Sequence, residues 1–221
     1  MRTIRNTLFA LVVGILGAPI SLAQDMPAAT PDRTEVFNVS VGKTIELDYY
    51  FPDNFNAEKP YPVMLAPGSF FLQDDPAAFG WVVIRAGIEE PRFNVDNANV
   101  ILDHISTMVM PRDDRFHMMG YSANSSGVFR IVAALRSRFA GILTIPGHPR
   151  QRSEYEAVRQ MKIRFIVGAR DGYWMREAKK AHALFQKLGT DTEIEVVENG
   201  GHVLKHLAGR PLFKRIDDWF H

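Results

Sequence analysis

The chain has 221 residues, with 26 Lys and Arg against 25 Asp and Glu, and it contains no cysteine. Near-balanced charge without a basic block argues against a nucleic-acid partner, and the lack of cysteine excludes disulfides, thiolate metal sites and cysteine nucleophiles. The length suits one domain around one sizeable core.

In chain order, Arg2 and Arg5 precede an apolar run from Leu8 to Leu16, and Ser21-Leu22-Ala23 follows with small residues. A positive head, a short apolar segment and a small-residue site make up a secretory signal peptide, with cleavage expected after Ala23. The run is too short to span a bilayer; the alternative for it is a buried N-terminal helix. With no cysteine to lipidate, no stable membrane anchor is expected after cleavage, and the product should be secreted or periplasmic. The remaining chain of about 198 residues keeps 24 basic and 25 acidic residues. Residues 24–34, with alanines and two prolines, read as a flexible leader, and residues 35–221 as the folded domain.

Within the domain, strands are predicted at Glu35–Val41, Thr44–Phe51, Tyr61–Ala66, Trp81–Ile88, Phe116–Tyr121, Gly141–Ile145, Ile163–Gly168 and Glu193–Glu198. Helical periodicity falls at Val95–Met108, Ser125–Phe139, Met175–Leu188 and Pro211–Trp219. The central strands, such as Val63-Met64-Leu65-Ala66, have no polar face, which points to a mostly parallel sheet covered by helices on both faces. The first two strands, two residues apart across Gly42-Lys43, suggest an antiparallel hairpin at the sheet edge.

Three segments carry chemistry. In Gly120-Tyr121-Ser122-Ala123-Asn124 a serine stands between a strand and a helix, a turn that holds its hydroxyl outward in a strained conformation. Gly120 fits the close approach this turn needs; Asn124 replaces the second glycine of G-x-S-x-G, tolerable because asparagine accepts unusual backbone angles. Helix capping is the alternative role for Ser122, Ser125 or Ser126. Asp171 follows the strand ending at Gly168, and Asp171-Gly172 could equally be a turn. His202 sits in Asn199-Gly200-Gly201-His202, where paired glycines can carry an imidazole over a sheet edge. A serine needs an imidazole to take its proton and a carboxylate to orient that imidazole. His202 and His206 have metal-ligand spacing, but no third ligand or H-E-x-x-H glutamate accompanies them, so no metal or other cofactor is expected. His148, in Pro146-Gly147-His148-Pro149, is the further histidine expected at the site mouth; His104, His117 and His182 read as structural.

The order Ser122, Asp171, His202, each past a strand, resembles the α/β-hydrolases over nearly all of the domain. Within them it looks like small secreted esterases and polyester-depolymerase-like or peptidase-like members, with Ile45–Phe51 then Pro60–Ala66 as lead-in. The resemblance implies an eight-stranded α/β-hydrolase fold, Ser122 as nucleophile, Asp171 as acid and His202 as base. Family lids commonly insert between the sixth and seventh strands; the roughly 15 residues from Gly147 to Met161 are too few for one. Oxyanion donors are expected from the backbone amides of Ala123 and, in the loop Pro67-Gly68-Ser69-Phe70-Phe71, of Ser69, with Phe70 next. That loop has Pro67 where the family often has histidine, and a plain Pro-Gly turn is its alternative. Phe70, Phe71, Tyr121 and His148 are candidate substrate contacts, with Phe79 and Trp81 as further liners unless the core takes them. The expected substrate is a small-molecule or polymer ester; the rivals are a non-catalytic binding protein on the same fold, and a peptidase or acyltransferase using the same three residues.

Overall fold

The computed structural model describes residues 30–40, 43–66, 79–87 and 93–221. The signal-peptide segment, most of the leader, and the loop carrying Ser69, Phe70 and Phe71 lie outside the described residues.

Among the described residues ten strands form, in order β1 (Arg33–Ser40), β2 (Lys43–Tyr50), β3 (Pro60–Tyr61), β4 (Val63–Ala66), β5 (Val82–Ala86), β6 (Met110–Pro111), β7 (Phe116–Gly120), β8 (Phe139–Thr144), β9 (Lys162–Gly168) and β10 (Thr192–Val197). Eight of them make one sheet in the order β1-β2-β5-β4-β7-β8-β9-β10, while β3 and β6 pair separately. The pairs β1–β2 and β2–β5 are antiparallel and the rest of the large sheet is parallel, so the predicted edge hairpin and parallel centre are both present. β1 begins at Arg33, two residues inside the stretch read as leader, because its pairing with β2 extends to Arg33 opposite Tyr49.

The helices are α1 (Val95–Ser106), α2 (Ser125–Ala134), α3 (Arg152–Val158), α4 (Gly172–Lys187) and α5 (Arg210–Phe220). Helix α1 starts where the Asn94 side chain accepts a hydrogen bond from the Asn97 amide, and it buries Ala98, Ile101, Leu102 and Ile105 on one stripe. Sheet residues alternate between two cores, as strand period requires. Leu65, Ile84, Met118, Ile142 and Phe165 face one core with residues of α1, α2, α3 and α4. Met64, Val83, Met119, Leu143 and Ile166 face the other with Leu212, Phe213, Ile216 and Phe220 of α5. The helices therefore cover both faces.

One sequence expectation is corrected by the structure. The helix predicted to Phe139 stops at Ala134, since a tight turn at Arg136–Arg138 brings Phe139 straight into β8, where it is buried. Of the two fates open to Trp81, site liner or core, it takes the core: it is fully buried directly before β5, its ring packs against His117 and Phe220, and its indole N–H donates to Asp217 at 3.0 Å. The short helix α3 between β8 and β9 escaped the sequence reading, because seven residues give too little period to see. No lid domain is inserted there. Among the described residues no helix is long and apolar enough to cross a membrane.

Candidate active site

Ser122 stands directly after β7, at the start of a single 3-10 turn, Ser122–Asn124, that runs into α2. Its φ of 52° lies in the left-handed region, where a side chain costs roughly 1–2 kcal/mol. The surroundings hold it there. The Ser122 amide donates to the Pro146 carbonyl at 2.9 Å, and the Asn124 side-chain oxygen accepts from the Tyr121 amide at 2.6 Å. A methyl group on Gly120 would come within 2.8 Å of the Ser125 Cα, so only glycine lets strand and helix close this tightly.

Asn124 has φ −74° and ψ −14°, an ordinary helical conformation, so a second glycine is not required at this position. The expectation that Asn124 tolerates an unusual backbone is thus corrected: its contribution is the side-chain bond that closes the turn. The capping alternative for the serines is resolved residue by residue. Ser125 and Ser126 hydroxyls donate to the carbonyls of Ser122 and Ala123, at 2.7 and 3.0 Å, whereas the Ser122 hydroxyl is directed at His202.

Asp171 occupies the N-cap position of α4, yet its carboxylate makes no capping bond. A capping aspartate typically contributes about 1 kcal/mol to a helix. Here the carboxylate instead meets His202 Nδ1 at 2.6 Å. His202 Nε2 lies 2.9 Å from Ser122 Oγ. The imidazole thus bridges two residues that lie 80 and 31 positions before it in sequence, with its side chain 37% exposed while that of Asp171 is 12% exposed. A shielded acid and a reachable base are what a proton transfer to an incoming molecule requires.

The loop that delivers His202 is locked to the acid's loop. Asn199 takes φ 58°, the Gly200 amide donates to Val197 at 3.0 Å, and the Arg170 amide donates to the Gly200 carbonyl at 2.8 Å. Gly168 and Gly200 approach so closely that a methyl on Gly168 would fall 2.2 Å from the Gly201 carbonyl oxygen. The paired glycines therefore serve close approach between the two loops.

Tyr121 lies beside the histidine, with ring centroids 5.7 Å apart. Burial, with the negative charge of Asp171, raises the pKa of its phenol. Two aromatic residues that the sequence reading did not single out complete the other side. Trp174, in the first turn of α4, has its ring 5.9 Å from that of His202, and Tyr173 follows at 5.3 Å from Trp174. For Trp174 a signal was available: three positions past the acid, on a helix beginning at Gly172, a side chain stays within one turn of the carboxylate. His148 does not touch His202; its ring lies 5.6 Å from Trp174, one ring further out, and its Nδ1 faces the Pro149 carbonyl at 2.8 Å.

The other histidines are used elsewhere. His104 Nε2 is 2.6 Å from the Glu35 carboxylate, His182 Nδ1 is 3.2 Å from the Thr192 hydroxyl, and His117 is buried against Trp81 and Phe220. His206 is exposed in a turn at Lys205–Leu207, and among the described residues no three His, Cys, Asp or Glu side chains converge as a metal-ligand set. Of the expected oxyanion donors, the Ala123 amide sits next to Ser122 in the first turn, where helical geometry leaves N–H groups unbonded; Ser69, Phe70 and Phe71 fall outside the described residues.

No protein-family model and no curated protein sequence matches this chain. Solved structures do. A thermostable esterase aligns with a TM-score of 0.58 at 13% identity, over 86% of this chain and 60% of its own length. A putative dipeptidyl aminopeptidase IV from Bacteroides ovatus aligns with 0.61 at 11%, over 85% and 35%. A ferulic acid esterase aligns with 0.65 at 12%, over 85% and 97%. The chain thus spans less than two thirds of the first two proteins and nearly the whole of the third. With the eight-stranded, mostly parallel sheet and its helices on both faces, these likenesses show that the chain has the α/β-hydrolase fold.

Proposed function

We propose that the protein is a serine hydrolase that cleaves carboxylic esters through an acyl-enzyme. The observation that carries this reading is the continuous hydrogen-bonded path from Asp171 through His202 to Ser122, 2.6 and 2.9 Å in its two links. A fold kept only for binding has no need to hold Ser122 in the left-handed region and to leave Asp171 uncapped, and both features weaken the local structure for the sake of this path.

In this reading His202 Nε2 takes the Ser122 hydroxyl proton as Oγ bonds to the ester carbonyl carbon. Negative charge collects on the carbonyl oxygen, where the Ala123 amide donates and a second donor from the loop at Ser69 joins it. The tetrahedral intermediate collapses by breaking the bond to the alcohol oxygen, which receives the proton from His202. Water then gives a proton to His202 and attacks the acyl-serine; the acid leaves and the hydroxyl of Ser122 is restored. Asp171 keeps its charge throughout, holding the Nδ1 proton and stabilising the imidazolium.

A fluorophosphonate probe, followed by mass analysis of the labelled peptide, tests this directly. Label on Ser122, with short-chain ester turnover that falls by at least about three orders of magnitude in Ser122→Ala, is the expected result. Folded protein that takes no label, or a Ser122→Ala variant with ordinary turnover, ends the reading. Amides are the second substrate class, favoured by the likeness to a putative aminopeptidase, and the same assay run on aminoacyl amides ranks the two. The apolar segment after Arg5 and the small residues up to Ala23 support export with removal of residues 1–23. Exported protein should therefore begin at Gln24.

A further inference from the structure

The aromatic residues on the acid side of His202 form a connected series. From His202 the ring of Trp174 is 5.9 Å away, from Trp174 that of His148 is 5.6 Å, and from His148 that of Tyr173 is 6.4 Å. The interplanar angles are 39° and 52° for the first two pairs, which are tilted, and 64° for the third, which is edge-on. An open groove of about 570 Å³ continues from there between α3 and α4; His148, Pro149, Tyr155, Tyr173 and Leu184 line it together with the charged Arg150, Glu177 and Lys180. That volume lies within the usual range for small-molecule sites. Tyr173 and Leu184 are two of the six large hydrophobic residues left exposed among the described residues, at 53% and 37%, and both open onto this groove.

Resting on the hydrolase reading above, we propose that Trp174, Tyr173 and His148 form a subsite that selects esters bearing a planar aromatic ring. Its position follows from the chemistry. The leaving oxygen takes its proton from His202, so the alcohol part of the substrate lies along the rings that flank that imidazole. An aliphatic group there gains from buried area alone. A flat ring also gains edge-to-face contact with the tilted rings already present, each such contact being equivalent to a factor of roughly 2 to 12 in binding. The subsite therefore discriminates between groups of equal size by their flatness and ring electrostatics.

The test compares benzyl acetate with cyclohexylmethyl acetate, which are close in size, carry the same acyl group and both release a primary alcohol, using the full protein, Trp174→Leu and Trp174→Phe. The expected result is a kcat/KM preference of about tenfold for the benzyl ester in the unsubstituted protein. It should shrink to within about twofold of unity in Trp174→Leu and be largely kept in Trp174→Phe. The ratio isolates ring recognition, because a variant that merely displaced His202 would slow both esters alike. A benzyl preference absent from the unsubstituted protein, or unchanged in Trp174→Leu, overturns the subsite while turnover and Ser122 labelling leave the hydrolase reading standing. Labelling of Ser122 without turnover of either acetate also overturns the subsite. Absence of both turnover and labelling overturns the hydrolase reading, and the subsite with it.

Discussion

The closest backbone approach around the site gives the sharpest prediction. Gly168 ends β9 beneath the histidine loop, and a Cβ there would sit 2.2 Å from the Gly201 carbonyl oxygen and 2.4 Å from that of Gly200. Both neighbours are backbone, which cannot swing aside as a side chain would, and real Cβ contacts essentially never close below 3.0 Å. In Gly168→Ala the loop must therefore retreat by about 0.8 Å to reach that floor. Along the imidazole–hydroxyl axis, such a retreat stretches the 2.9 Å link between His202 and Ser122 to about 3.7 Å, beyond hydrogen-bonding distance. Misplacement on this scale costs about 10²-fold in rate, while overpacking costs about 1–3 kcal/mol of stability. The assay is kcat/KM on a short-chain ester, measured well below the melting transition, with circular dichroism to confirm folding. Gly127→Ala serves as the control, since a methyl there meets nothing within 4 Å. A folded Gly168→Ala protein within twofold of the unsubstituted kcat/KM would refute the view that this contact sets the histidine's position.

Two further predictions concern stability. Because Ser122 holds φ 52°, both serine and alanine are strained there and glycine is not. Ser122→Gly should melt above Ser122→Ala by roughly 2–4 °C, the equivalent of about 1 kcal/mol in a domain of this size; equal melting temperatures would show that the turn relaxes once the hydroxyl is gone. At His117, burial pushes the imidazole pKa down to about 3, with Lys162, Arg115 and Arg112 adding to the effect against a backbone hydrogen bond at Val63. Below pH 6.5 the unfolded chain binds a proton on this ring that the folded chain refuses. The stability is thus complete above pH 6.5 and is lost as pH falls towards 3, at up to about 1.4 kcal/mol per pH unit. Melting scans of His117→Phe across that window should show a shallower acid decline than the unsubstituted protein, and parallel declines would show that other groups govern it.

Much of the fold was readable from residues alone because local pattern and tertiary role agree in the centre of this sheet. The runs at Val63–Ala66 and Phe165–Val167 are apolar on both faces, and the structure covers both faces. Reading failed where length or packing decided. Helix α3 is only seven residues long, and α2 gives way to β8 because Phe139 has a core to enter. For Trp81, read as opening a strand and left to either core or pocket, only the fold decides: parallel pairing puts that strand's start away from the rim where Ser122 and His202 meet.

The amino-acid sequence by itself determined the alternation of strands and helices, the order of serine, acid and histidine, and the glycines beside them, since each depends on neighbours within a few positions. Tertiary structure alone decided that Asp171 turns its carboxylate from its own helix to His202, and that the Ser122 hydroxyl meets that imidazole. The physical reason is distance along the chain. Ser122 and His202 are 80 positions apart, and no local propensity specifies a 2.9 Å contact between them; only the parallel packing of β7, β8, β9 and β10 brings their loops to one rim.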